Sequence, residues 1–364
     1  MQYWSRDEIR HMKKIAIFQS DLRVGGIQKA LVNTLEELSP PEFDVDLYLF
    51  DAGTQTDFFA LPERENLHVI RLRPYPFLSR LVYFPLLRRF APVAVRDTEY
   101  DAAIDFSSYR SECAVGALRA NAKKRLMWIH NDVEIKMRNE LKYRVLWHFF
   151  KGKLRYYDAF CAVSPGIIEG FRRVSGITDR PIIPIPNRID TAEIFRKMEA
   201  PISFSPDPGV FNLCTMGRLC HQKGFDILLD YFAEAVRQRP EMHLYILGDG
   251  PDRGKLLAQI RRLQLETRVT LLGNQENPFP YLKKMDAFTL TSRYEGQGLV
   301  IWEAKAVGLP LYIARNLEPY NPGIEGTDDL PAAFASAQRQ SLVPDDLAAY
   351  NADISRALRE VLEV

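Results

Sequence analysis

"FNLCTMGRLCHQKGFDILLDYFAEAVRQRPEMHLYILGDG" (211–250) holds a short apolar run, a basic loop, a helical run and a second apolar run that ends in Gly-Asp-Gly. Residues 211–219 read as a buried strand, 225–238 as a helix and 242–250 as another strand. Strand, helix, strand at this spacing is the unit of a parallel, doubly wound sheet. The alternation continues downstream through a helix at 251–265 and strands at 268–273, 287–292 and 309–314. Upstream, "KKIAIFQS" (13–20) is a strand, and Ile27, Leu31, Leu35 and Leu38 give 25–38 helical spacing. Further short apolar runs lie at 43–50, 100–106, 124–130 and 158–164, with helical stretches between them. The pattern breaks at "APISFSPDPG" (200–209), whose prolines and serines mark a linker. The expected fold class is α/β, with two Rossmann-like doubly wound domains facing across a cleft. Its parts are an N-terminal extension (1–12), a first domain (13–199), the linker (200–209), a second domain (210–345) and a C-terminal helix (346–364) that packs back on the first.

The length of 364 residues suits two domains, since one domain takes about 150. Lys plus Arg number 48 against 47 Asp plus Glu, so no global charge points to nucleic acid. Cys113, Cys161, Cys214 and Cys220 form no CxxC pair, which argues against zinc and against a disulfide framework. The opening "MQYWSRDEIRHMKK" lacks the apolar run of a secretory signal, and no stretch is long and apolar enough to span a bilayer. A cytoplasmic protein, free or peripheral on the inner face of a membrane, is expected.

In doubly wound sheets ligands sit beyond the carboxyl ends of the strands, so the loops there carry the candidates. Gly25 and Gly26 follow the first strand and open a helix, where N–H groups face an anion or hydroxyl-rich ligand; a tight turn is the alternative. His130 ends the strand "KRLMWIH", either facing the cleft or simply packed, and Ser164 ends 158–164 as a site residue or an N-cap. Asn187 and Asp190 in "IPIPNRID" line the site or turn the chain. Arg218 and Lys223 bracket a basic loop that ends at Gly224, a pattern suited to a diphosphate or else a pair of solvated surface charges. Asp249 and Gly250 approach a ligand or start the next helix. In "RYEGQGLVIWEAKAVGLP" (293–310), Glu295 and Glu303 flank a Gly-x-Gly turn. Backbone N–H groups there suit phosphate, whereas carboxylates repel phosphate and accept from sugar hydroxyls. Together these groups describe a nucleotide-sugar.

The motifs "GRLCHQKG", "LGDGP" and "EGQGLVIWE", with "VGG", "WIHND", "VSPGI" and "PNRID" in order, resemble the retaining glycosyltransferases of family 4, which have the GT-B fold. The resemblance runs over about 13–315 and is strongest in 211–310. It implies an acceptor-binding first domain and a donor-binding second domain, with no metal and no cofactor beyond a nucleoside diphosphate-sugar co-substrate. Arg218 and Lys223 would hold the donor diphosphate, Glu295 and His130 the donor sugar, and Glu303 the ribose. Gly298, Leu299, Gly25 and Gly26 would offer backbone to phosphate or sugar, with Asp249 and Gly250 close to the donor. The chain departs from the family at Gln297, at Trp302, in "RNLEPYNPG" (315–323) and in 324–338, which bears on base and sugar selectivity.

Residues 71–96 carry six arginines and no acid among large apolar side chains, and 136–157 carries seven Lys or Arg against one Glu. Such stretches suit an anionic membrane surface, or else a helix packed on the domain with a solvated basic side. The expected activity is transfer of a sugar from a nucleoside diphosphate-sugar, UDP-linked, to a glycan or lipid-linked acceptor. The alternatives are an epimerase or phosphorylase of the same fold, or a catalytically silent partner.

Overall fold

Seven short, mostly apolar strands pair in parallel to open the chain. A computed structural model describes residues 12–23, 25–53, 57–76, 82, 84–91 and 93–363; positions 1–11 of the N-terminal extension, and 77–81, 83 and 92 of the basic stretch, lie outside the described residues. The chain divides into two units, one ending at Arg188 and resuming at Tyr350, the other Ile189–Ala349.

The first unit holds β1 (Lys13–Gln19), β2 (Phe43–Leu49), β3 (Leu67–Arg71), β4 (Tyr100–Asp105), β5 (Ala122–Ile129), β6 (Ala159–Ala162) and β7 (Ile182–Pro184) in the order β3-β2-β1-β4-β5-β6-β7. Ile15, Ala16, Ile17 and Phe18 of β1 are all fully buried. A strand with no polar face must be covered on both sides, as parallel sheets are. The connecting helices α1 (Gly26–Glu37), α2 (Phe84–Phe90), α3 (Ser111–Arg119), α4 (Val133–Asn139), α5 (Leu141–Phe150) and α6 (Ile168–Ser175) belong to this unit.

The second unit opens with α7 (Thr191–Met198). It continues as β8 (Phe211–Met216), α8 (Phe225–Gln238), β9 (Met242–Leu247), α9 (Arg253–Arg262), β10 (Val269–Gly273), α10 (Phe279–Leu282), β11 (Ala287–Leu290), α11 (Leu299–Val307), β12 (Leu311–Ala314), β13 (Gly326–Thr327) and α12 (Leu330–Ser336). Its sheet order is β10-β9-β8-β11-β12-β13, again parallel. Phe225, Leu228, Leu229 and Phe232 form one stripe of α8 and join Leu213, Leu244 and Ile246 in the core. In each sheet the strand order reverses once, between β1 and β4 and between β8 and β11. These switch points open the crevices where ligands bind in such folds.

The boundary differs from the expectation. Composition placed it at 200–209, but the chain changes unit at Arg188 and Ile189, ahead of α7. The cause is packing: Asn277 donates to the Lys197 carbonyl (2.8 Å), and Lys283 pairs with Glu199 (2.6 Å). The closing helix α13 (Ala348–Leu362) runs back into the first unit, where Arg359 pairs with Glu42 (3.1 Å) and Lys124 donates to the Glu363 carbonyl (3.0 Å).

Candidate functional site

The switch point of the second unit is built by two loops, 217–224 after β8 and 291–298 after β11. Gly224 has φ +64°, and a Cβ there would lie 2.2 Å from the Thr291 carbonyl oxygen, so the loops meet backbone to backbone only because it is glycine. The Thr291 hydroxyl donates to the Gly224 carbonyl (2.9 Å) and Arg293 N–H to that of Gln222 (2.8 Å). Arg293 also grips both carboxylate oxygens of Asp226, at 2.8 and 2.5 Å, and donates to the His221 carbonyl (2.8 Å). This pairing holds Asp226 below the usual carboxylate range, although burial opposes it. Arg293 was not singled out in the sequence, since nothing there links it to an acid 67 residues away.

Across this scaffold the Lys223 ammonium meets Glu295 Oε1 at 2.6 Å. Glu295 is buried and Lys223 nearly so, with 6% and 17% of their side chains exposed. An ammonium has three donors and a carboxylate about four acceptor sites, so each keeps capacity for a ligand. The sequence suggested Lys223 for phosphate and Glu295 for hydroxyls as separate duties; the structure joins them in one pair. Arg218 is exposed, between residues whose N–H groups are fixed to Leu247 and Asp249 carbonyls, and makes no ion pair among the described residues. The third loop, Asp249–Gly250, packs on the first: a Cβ on Gly250 would lie 2.4 Å from the Leu219 carbonyl oxygen. Gly250 is therefore a packing glycine, and Asp249 an exposed carboxylate whose Oδ1 accepts from Gly250 N–H (2.7 Å).

At the mouth of α11 the expectation needs correction. Gly298 N–H donates to Asn321 Oδ1 (3.2 Å), Leu299 N–H to the Gln297 carbonyl (3.0 Å) and Ile301 N–H to the Gly298 carbonyl (2.8 Å). The backbone donors of Gly298 and Leu299, expected to face phosphate or sugar, are engaged inside the protein. Asn321, fully buried, also accepts from Trp302 Nε1 (3.1 Å). Trp302 and the departing loop 315–323 thus brace the helix mouth. Glu303 lies on α11, half-buried.

In the first unit Gly25 is the N-cap of α1, which carries no side-chain cap. Its φ of 172° is extended backbone open to any residue, so glycine is not demanded at position 25 by conformation. Asp21, buried after β1, fixes this loop by accepting from Arg23 and Gln28 side chains (both 3.0 Å). His130, buried after β5, makes a 2.7 Å bond from Nε2 to the Phe106 carbonyl. A carbonyl only accepts, so Nε2 carries the proton, and Nδ1 of the neutral ring is an acceptor. Burial pulls its pKa from 6.5 to about 4, against the opposing bond to Phe106. Beneath this loop Lys153 and Asp105, both fully buried, pair at 2.7 Å, and Tyr157 donates to the same Asp105 oxygen at 2.7 Å. Ser164 is buried at the cap of a 3-10 turn, the Asn187 carbonyl accepts from Tyr350 (3.0 Å), and Asp190 caps α7 through Glu193 N–H (2.9 Å).

The depressed His130 pKa sets a pH dependence. Between about pH 4 and 6.5 the unfolded chain binds a proton that the folded chain refuses, so stability present above pH 6.5 falls as pH drops towards 4. The loss amounts to about 3 kcal/mol. His130→Gln should flatten this part of a denaturation-versus-pH curve; parallel curves for the two proteins would refute it.

Among the described residues no group of three or more His, Cys, Asp or Glu is placed to hold a metal ion, and no helix is long and apolar enough to cross a membrane. The model for "Glycosyltransferase Family 4" matches residues 24–193, and that for "Glycosyl transferases group 1" matches 210–344. An uncharacterized glycosyltransferase of Methanocaldococcus jannaschii is 28% identical over 250 residues, 66% of this chain but 60% of the relative, less than two thirds of its length. The N-acetylgalactosamine-N,N'-diacetylbacillosaminyl-diphospho-undecaprenol 4-alpha-N-acetylgalactosaminyltransferase of Campylobacter jejuni is 27% identical over 304 residues, 81% of this chain and 79% of that one. Among solved structures, Anabaena HepE in complex with UDP and glucose has a TM-score of 0.64 at 17% identity, covering 96% of this chain and 99% of that one. The family matches fall in order on the two Rossmann-like sheets, and the chain belongs to glycosyltransferase family 4, with the GT-B fold.

Proposed function

We propose that this chain is a retaining, metal-independent glycosyltransferase that moves a sugar from a UDP-linked donor to a glycan or lipid-linked acceptor in surface polysaccharide assembly. The observation that carries the reading is the Lys223–Glu295 pair across the β8–β11 switch point, with the Arg218 cation unpaired among the described residues on the same loop. As the bond from sugar to phosphate breaks, negative charge grows on the departing diphosphate. Arg218 and the two remaining Lys223 donors stabilise that charge where it develops. Glu295 accepts from sugar hydroxyls, and Nδ1 of His130 supplies a further acceptor. The acceptor hydroxyl attacks the anomeric carbon on the face the phosphate leaves, and its proton passes to a phosphate oxygen. The Campylobacter relative named for a diphospho-undecaprenol substrate and the UDP held by HepE support this donor and acceptor class.

An inner-face membrane location belongs to the reading. Arg88 lies over Tyr156 at 4.5 Å, joining the stretches 71–96 and 136–157, and Leu86 and Phe90 of α2 are exposed. The test of function is nucleoside diphosphate release from a panel of nucleotide-sugars, with and without glycan and lipid-linked acceptors. Acceptor-dependent release is expected from one donor class. Turnover without acceptor would mean epimerase chemistry, turnover that needs only inorganic phosphate would mean a phosphorylase, and donor binding with no release under any condition would mean a silent partner.

A further inference from the structure

Within the first unit, α4, α5 and the loop after β4 enclose a groove of about 740 Å³. Small-molecule sites span roughly 300–1,000 Å³. Its walls are apolar, with Leu146, Trp147 and Phe150 contributed by one face of α5. Leu141 and Val145 of the lining are 63% and 49% exposed, so part of the apolar wall is open to water. The same lining carries cations, of which Lys142 is paired with Glu140 (3.1 Å). Lys136 Nζ lies over the rings of Tyr143 and Tyr109, at 4.1 and 5.1 Å, and makes no ion pair among the described residues. Arg110 stands 3.9 Å from Asp21 and 4.0 Å from Glu112, long contacts that leave its donors available. Tyr109 and Arg110 sit on the loop after β4, and Asp21 follows β1, so Arg110 brings the lining to the unit's own switch point.

Such a groove selects by exclusion. A free sugar or nucleotide would lay many of its hydroxyls against the apolar Val133, Leu146, Trp147 and Phe150, at a cost per unpaired group. A bare anion has no use for the walls, and a bare hydrocarbon none for the cations. An anion attached to a hydrocarbon chain uses both kinds of wall: the chain removes apolar surface from water, and the cations meet the charge.

We propose that this groove binds the hydrocarbon chain of a phosphate-linked lipid acceptor, with the phosphate at Arg110 and Lys136 and the chain leaving past Leu141 and Val145. The proposal rests on the lipid-linked acceptor reading above and gives that acceptor its place. The phosphate end sets the sugar it bears at the β1–β4 crevice, and the open part of the wall lets a chain longer than the groove continue outward.

The test is binding of farnesyl diphosphate at monomeric concentrations, measured by calorimetry and by Trp147 fluorescence, beside inorganic diphosphate and farnesol. Farnesyl diphosphate should bind at least about tenfold more tightly than either half alone. Val145→Asp, at an exposed position, should keep the wild-type unfolding temperature and lower farnesyl diphosphate affinity to that of inorganic diphosphate. Lys136→Ala should lower it towards that of farnesol. Equal affinity for farnesyl and inorganic diphosphate, or an unchanged affinity in Val145→Asp, would overturn the proposal. So would binding to anionic vesicles without binding of monomeric farnesyl diphosphate, which would make this face a membrane surface. Binding needs no turnover, so the outcomes separate. Chain-dependent binding in a protein that releases no nucleotide leaves the groove and removes the enzyme, whereas acceptor-dependent release with unselective binding does the reverse.

Discussion

Lys223→Ala is expected to lower kcat/KM for acceptor-dependent nucleotide release by about 10²–10³-fold, the usual loss when one preorganised donor to developing charge is removed. Glu295→Ala should fall into the same range, and the double variant should be scarcely worse than the worse single one. The reason is the 2.6 Å contact between two largely buried groups. Each side chain fixes the other's position, so removing either disables both, and residues that act as a unit lose activity non-additively. Arg218→Ala separates the effects, because Arg218 has no partner among the described residues to disturb. It should weaken donor diphosphate binding and leave the Lys223–Glu295 geometry intact. Steady-state kinetics on the three singles and the double variant decide the matter. Losses that multiply would mean Lys223 and Glu295 serve separate duties, and a single variant within a few-fold of wild type would remove that residue from the site.

Lys153→Met should cost the first unit about 3–5 kcal/mol, the range for breaking a buried ion pair from one side. Neither side chain of the pair is exposed. Asp105 Oδ1 already lacks a partner, and Oδ2 depends on Lys153 and the Tyr157 hydroxyl, both at 2.7 Å. Without the ammonium a buried carboxylate is held by one neutral hydroxyl. Asp105→Asn combined with Lys153→Met removes both charges and should recover a large part of the loss, since a buried pair is much less costly to replace than to break. Denaturant unfolding, followed by a probe in the first unit, reads these differences. A loss below about 1 kcal/mol for Lys153→Met, or a double variant worse than either single, would overturn the account.

The doubly wound pattern was legible because strands buried on both faces appear as unbroken apolar runs, as Ile15 to Phe18 do. The loops of the candidate site were legible for the related reason that such sheets bind ligands where strands end. Contacts between distant segments were not. Lys223 and Glu295 could each be named, yet nothing in a sequence couples residues 72 apart. Arg293 and Asn321 were overlooked because their duties exist only once 221–226 meets 293 and Gly298 meets 321. The unit boundary was misplaced because Pro and Ser report a segment without regular structure, and such a segment can still follow a helix that already packs on the second unit.

The return of α13 has a consequence for how the protein is made. Ser355 bonds to Glu37 and Arg359 to Glu42, across sequence separations of 318 and 317 residues. The second unit is one continuous stretch and can fold as soon as it leaves the ribosome. The first unit emerges earlier but lacks its final helix until the whole of the second has been synthesised. The surface that α13 covers near Glu37 and Glu42 therefore stays open throughout that interval, and the half of the molecule that starts folding first is the half that finishes last.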